Sequence, residues 1–161
     1  MLKEILDPCS CAQCRVCCVF DSSDIWEMPV FTPETVEKIR CAKPETNFVP
    51  HGNGFIIDPG EFGESEVFTC PALTENGCML GDGKPFDCRI WPFRIMSIGG
   101  IRAITIASLC SEMYSRPLSQ LVEFLDKGLA EKIFRYAEEH PEIVKPYDDG
   151  YPVLKLERKE K

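Results

Sequence analysis

The chain has 161 residues, 44% of them apolar, ten cysteines and a formal charge of −8 before any thiolate is counted. An acidic balance of that size excludes a nucleic-acid backbone as partner, which calls for a basic face, and apolar runs this short exclude a membrane-spanning helix. The length suits one soluble globular domain that buries its core without disulfide staples.

The first eight residues, MLKEILDP, contain no apolar core of signal-peptide length and no small-residue cleavage site, so a cytoplasmic, reducing location is expected. Cys9 comes next, and then Cys11-Ala12-Gln13-Cys14-Arg15-Val16-Cys17-Cys18, which packs four thiols into eight residues. A disulfide framework and a metal site compete to explain them. Cysteines three apart on a tight loop converge on one point, which is the spacing of metal sites rather than of bridges. Redox-switching thiols are the third reading.

Beyond the cysteines, Asp21-Ser22-Ser23-Asp24 reads as a turn, and Ile25–Phe31 as an apolar segment broken by Pro29, suited to an edge or irregular layer. Thr32-Pro33-Glu34 supplies a cap, a first-turn proline and an acidic first turn, so a helix is predicted through Val36 and Ile39 to about Cys41, whose thiol is expected to be idle. Residues 43–54, rich in proline, asparagine and glycine, read as a loop. His51 within it is expected to be solvated rather than a ligand. Phe55-Ile56-Ile57 and Val67-Phe68-Thr69 are predicted as short strands around an acidic connection. Asp58, Glu61 and Glu64 in that connection are available for acid-base work, although a solvent-facing loop is the simpler role.

The second group of thiols is Cys70, Cys78 and Cys88. Turn signals at Asn76-Gly77 and Gly81-Asp82-Gly83 predict that this stretch folds back twice and brings the three together. Cys70-Pro71 has the form in which ferredoxin-type clusters take a remote ligand. Gly99-Gly100, between two β-branched runs, predicts a hairpin that leads to Cys110. From Leu118 to Ala137 apolar residues recur at helical spacing, Glu131 and Arg135 lie four apart on another face, and His140-Pro141 ends the helix.

Adjacent side chains leave an extended backbone on opposite faces, so Cys17 and Cys18 are expected to serve two neighbouring centres or one larger cluster. With Cys9 and Cys41 set aside, Cys11, Cys14, Cys17, Cys18, Cys70, Cys78, Cys88 and Cys110 remain, the complement of two all-cysteine centres. Thiolates select zinc or iron-sulfur chemistry over magnesium or calcium. Arg15, Arg89 and Arg94 each stand close to a cysteine in sequence, and Arg89, directly after Cys88, is the residue expected to contact the cofactor. The fold class expected is α+β, a small metal-centred domain with short antiparallel strands, irregular cysteine-bearing loops and a long C-terminal helix. Residues 1–115 form its cysteine-cluster region, and 116–161 a helix and tail packed on it, in one compact domain overall.

In order, Cys11-x2-Cys14-x2-Cys17-Cys18, Cys70-Pro71 with Gly77-Cys78, and Cys88-Arg89-Ile90-Trp91-Pro92-Phe93 resemble the CxxCxxCC cysteine-cluster family of zinc- or iron-chelating proteins. The resemblance covers roughly the first 110 residues. It departs from the family pattern at Gly81, where an aromatic is usual, and at Lys84-Pro85, where the family carries Arg-Pro. It implies a metal-binding protein holding iron-sulfur or zinc. Similar modules occur in flagellin lysine methylases, but no glycine-rich cofactor signature stands here, so methyl transfer is not implied. A redox or group-transfer enzyme using the cluster, and a redox-sensing thiol protein, are the alternatives.

Overall fold

The computed structural model describes residues 1–61, 63 and 66–158, with the side chains of Pro8, Cys9, Ala12 and Tyr114 left aside. Its elements are mixed α and β, with short antiparallel sheets and a long C-terminal helical stretch. The chain divides into two compact units, Leu2–Arg89 and Ile90–Lys161, the latter taking in Met1.

The first unit begins with a helix where the spacing predicts a loop. Asp7 caps it by accepting from the Ser10 backbone N–H at 3.1 Å, and Pro8 occupies the first turn, so α1 spans Pro8–Cys14. Cys11 and Cys14 are therefore helical rather than loop residues. Arg15 ends the helix in the left-handed region (φ 58°), and a single 3-10 turn, Val16–Cys18, succeeds it. A short strand β1, Val19–Phe20, comes next, and the turn at Asp21 is tied by Ser23, whose N–H donates to the Asp21 carboxylate at 2.7 Å.

Thr32 caps α2, Pro33–Ala42, as its sequence predicts, and the helix buries Val36 and Ile39. The loop expected over 43–54 instead contains β2, Phe48–His51, which pairs with β3, Gly54–Ile57. Proline and glycine mark the turn correctly at Gly52 (φ 58°). Phe48 and Val49, however, are strand formers and pair with Ile57 and Ile56. Phe31 and Phe55 exchange backbone hydrogen bonds of 2.7 and 2.9 Å, which joins the irregular segment 25–31 to this hairpin. A Cβ on Gly54 would lie 2.6 Å from Val30 Cγ1 and 2.8 Å from the Phe31 carbonyl oxygen. Gly54→Ala is accordingly expected to cost ~1–3 kcal/mol, read as a lower denaturant midpoint at unchanged slope.

β4, Phe68–Thr69, pairs antiparallel with β1, and β5, Leu73–Thr74, pairs with β6, Gly77–Cys78. α3, Phe86–Ile90, closes the unit. Its core gathers Phe20, Met28, Phe31, Val36, Ile39, Ile57, Cys70, Ala72 and Leu80. The buried Asp87 carboxylate accepts from the Val30 N–H at 2.9 Å. Asp87→Ala removes that acceptor inside the core, and a loss of ~1–3 kcal/mol in unfolding free energy is expected in a denaturant titration.

The second unit is built on β7, Phe93–Ile98, and β8, Ile101–Ile106, joined by the predicted hairpin. Gly99 and Gly100 both take positive φ (56° and 84°), as a two-residue turn of this hand requires. After α4, Ser111–Tyr114, come α5, Leu118–Phe124, a wide turn over Leu125–Leu129, and α6, Ala130–Glu139. The predicted long helix is present, with a bend at Gly128 (φ 105°). The apolar spacing runs through the bend, with Leu121, Leu125, Leu129, Ile133 and Ala137 all buried, so periodicity alone does not reveal it. β9, Lys145–Pro146, runs parallel to β7, and β10, Val153–Leu156, antiparallel to β8, giving the sheet order β10-β8-β7-β9. Phe93, Ile95, Ile104, Leu125 and Ile133 form the core, and the Phe93 ring stacks on Phe124 at 6.4 Å. Among the described residues no helix is long and apolar enough to cross a membrane.

Candidate functional site

Two short ladders in the first unit bring distant thiols together. Val19 stands opposite Thr69 and Phe20 opposite Phe68, and the pairing extends one step further because the Cys70 N–H donates to the Cys18 carbonyl at 2.8 Å. Cys17, Cys18 and Cys70 are thereby neighbours across more than fifty residues of sequence. The second ladder sets Leu73 opposite Cys78, while Met79 N–H donates to the Ala72 carbonyl at 2.9 Å, so Cys78 returns beside the Cys70 segment. Thr74 Oγ1 donates to the Gly77 carbonyl at 2.7 Å and fixes the turn that makes this possible.

The electrostatics of Cys70 report the same neighbourhood. Burial pushes its thiol up to about 11, and proximity to Cys78 and Cys17 pushes the same way; a backbone hydrogen bond at Ala72 and the Lys43 ammonium oppose the shift. A thiolate here meets both a desolvation penalty and neighbouring sulfur. A bound cation would offset both.

Cys17 Sγ and Cys18 Sγ lie 4.0 Å apart. The opposite-face divergence expected of adjacent cysteines applies to an extended chain, whereas these two sit on a 3-10 turn, where successive side chains stand about 120° apart instead of about 180°. Sulfurs this close can face one shared centre, the arrangement that one larger cluster calls for. α1 lies against β6, and Arg15 Nη2 donates to the Glu75 carbonyl at 2.6 Å, tying the end of α1 to the β5–β6 turn. Cys11 is half-buried and Cys14 exposed.

Cys88 is half-buried on α3 beside Asp87, and Cys110 is buried in the second unit, where its carbonyl accepts from Met113 N–H at 3.0 Å. Cys41 is exposed on α2. The nine described cysteines are thiols rather than disulfides. Arg89 is exposed, and Arg94 is buried with its guanidinium 4.5 Å from the Trp91 ring centroid. His51 is half-buried at the end of β2. Asp58 accepts from Gly60 N–H at 3.0 Å within the acidic connection, Glu61 is exposed, and Glu64 lies outside the described residues. Sequence reading misses the buried carboxylates of Glu27 and Asp87. Neither has a motif around it, and only the fold reveals them.

The donor set is soft sulfur, which suits zinc or an iron-sulfur cluster in chemistry. Among the described residues no group of three or more His, Cys, Asp or Glu stands ready to hold a metal ion. The thiols are gathered without being closed into a coordination shell. Comparison with family models, with curated proteins and with solved structures finds no match.

Proposed function

We propose that Leu2–Arg89 is a metal-binding module in which Cys17, Cys18, Cys70 and Cys78 hold zinc or iron-sulfur through their thiolates. Cys11 and Cys14 on α1 are the nearest further donors. The observation that carries this reading is the pair of ladders that sets Cys70 beside Cys18, through a 2.8 Å backbone hydrogen bond, and returns Cys78 to the same segment. The sheets that hold them are a second support. β1 with β4 and β5 with β6 contribute two residues per strand, and isolated ladders that short are marginal in water. A metal bridging the loops would supply what such ladders lack, because ligand closure and folding are then one equilibrium. The ordered resemblance to the CxxCxxCC cysteine-cluster family agrees with it. A cytoplasmic setting, where thiols stay reduced, belongs to the same proposal.

The chemistry assigned to the chain's own residues is limited. The four thiols give up their protons on binding, Arg15 holds α1 to the β5–β6 turn, and the apolar neighbours Phe20, Ala72 and Leu80 keep water from Cys70. When bound, zinc would act structurally, whereas an iron-sulfur cluster would carry electrons.

Alkylation mapped by mass spectrometry tests the ligand set. In protein purified without oxygen, Cys17, Cys18, Cys70 and Cys78 are expected to resist alkylation until a chelator is added, while Cys41 reacts at once. Equal reactivity of Cys17 and Cys18 with and without chelator would refute ligation by them. The second reading, a thiol switch, draws on the 4.0 Å Sγ separation of Cys17 and Cys18. A small-molecule disulfide would oxidise the pair, taking two electrons as both thiol protons leave.

A further inference from the structure

The sheet of the second unit ends on two unlike edges. β9 is two residues long and one of them is Pro146, so it offers little for another strand to bond. β10 is four residues long, contains no proline, and among the described residues is paired with β8 alone. Val153 and Leu156 on it are 41% and 51% exposed.

Ladder geometry fixes which backbone groups of β10 face outward. Glu157 N–H donates to the Arg102 carbonyl at 2.8 Å, so Glu157 bonds toward β8. Backbone groups alternate along a strand, and the N–H and C=O of Leu156 therefore point away from β8. Leu156 stands opposite Ala103, on the face that also carries Ile101, itself 46% exposed. Lys155, opposite Ile104, projects from the other face, where it is paired with Asp126.

We propose that the edge running from β10 through Glu157 pairs antiparallel with the same edge of a second copy of this chain, about a two-fold axis passing through Leu156. The charges select this occupant. In that register Leu156 meets its own copy in a hydrogen-bonded pair, and Lys155 stands opposite Glu157 of the partner subunit on both sides of the axis. Lys155 and Glu157 then form the closer, non-hydrogen-bonded pairs, where opposite charges are favourable and like charges repel. Glu157 is already bonded to Arg102 at 2.7 Å and Lys155 to Asp126, so each new pair links two existing ones into a four-charge network. An unrelated strand would match the backbone edge but not the alternation of lysine, leucine and glutamate. A two-fold contact uses up the edge and closes at the dimer.

Sedimentation velocity of the full chain, under reductant so that no thiol cross-links, tests the proposal over a wide concentration range. A reversible dimer is expected. Leu156→Arg, which sets two like charges on the axis, is expected to give monomer, with circular dichroism unchanged because the site is exposed. Lys155→Glu alone places carboxylates opposite each other twice and is expected to weaken the dimer roughly tenfold or more. Adding Glu157→Lys restores opposite signs across the axis and is expected to recover affinity over Lys155→Glu alone, short of wild type because the new lysine faces Arg102 and the new glutamate Asp126. A wild-type chain that is monomeric throughout, open-ended oligomers, or a dimer indifferent to Leu156→Arg would each overturn the proposal.

Discussion

If Leu2–Arg89 holds metal as proposed, chelation is expected to unfold its cysteine-bearing part, seen as loss of hydrogen-exchange protection in residues 16–20 and 68–80. Structural zinc contributes on the order of 10–16 kcal/mol in peptides that have no other core. This unit does have one, in Phe31, Val36, Ile39 and Ile57, so the β2–β3 hairpin and α2 are expected to retain more protection than the ladders around Cys70. The ladders have least to fall back on. β1, β4, β5 and β6 each span two residues, and Cys70 itself is among the buried apolar side chains near them. Cys70→Ser with Cys78→Ser should reproduce the effect of chelation without a chelator. Protection unchanged in both experiments would mean that packing alone holds the loops.

The largest single-residue effect outside the thiols is expected from Phe93→Ala. Phe93 is fully buried, starts β7 opposite Ile106 and stacks on Phe124 of α5, so its removal empties the seam between sheet and helix. Truncation of such a ring typically costs ~3–5 kcal/mol. Denaturant unfolding of the variant should show a midpoint lowered in proportion, and a loss below ~1 kcal/mol would indicate that the seam collapses to fill the space.

Much of the architecture is legible in local chemistry. Thr32-Pro33, Gly99-Gly100 and His140-Pro141 each impose a backbone geometry that few alternatives satisfy, and the structure places a helix start, a hairpin turn and a helix end at them. Where tertiary context or a neighbouring cap decides, local signals mislead. The cysteine spacing over residues 9–18 suggests a loop, yet the Asp7 carboxylate and Pro8 start a helix there. β2 is hidden because Pro50 and the glycines near it outweigh Phe48 and Val49, whose strand conformation depends on pairing with β3. The bend at Gly128 is hidden because apolar spacing continues across it.

The candidate site divides along the same line. The approach of Cys70 and Cys78 is readable from the turn residues between them, Asn76 and Gly77, and the β5–β6 hairpin brings them together. The 4.0 Å separation of the Cys17 and Cys18 sulfurs is not readable from spacing, because it depends on the 3-10 turn after Arg15. Arg89, singled out by its place after Cys88, is exposed, while Arg94, five residues on, is the buried one.

Elemental analysis of protein purified without oxygen, combined with its visible spectrum, tests metal binding most directly. At least one equivalent of zinc or of cluster iron per chain is expected, lost in the Cys70→Ser, Cys78→Ser double variant and kept in Cys41→Ser. A folded chain that carries neither metal would contradict it.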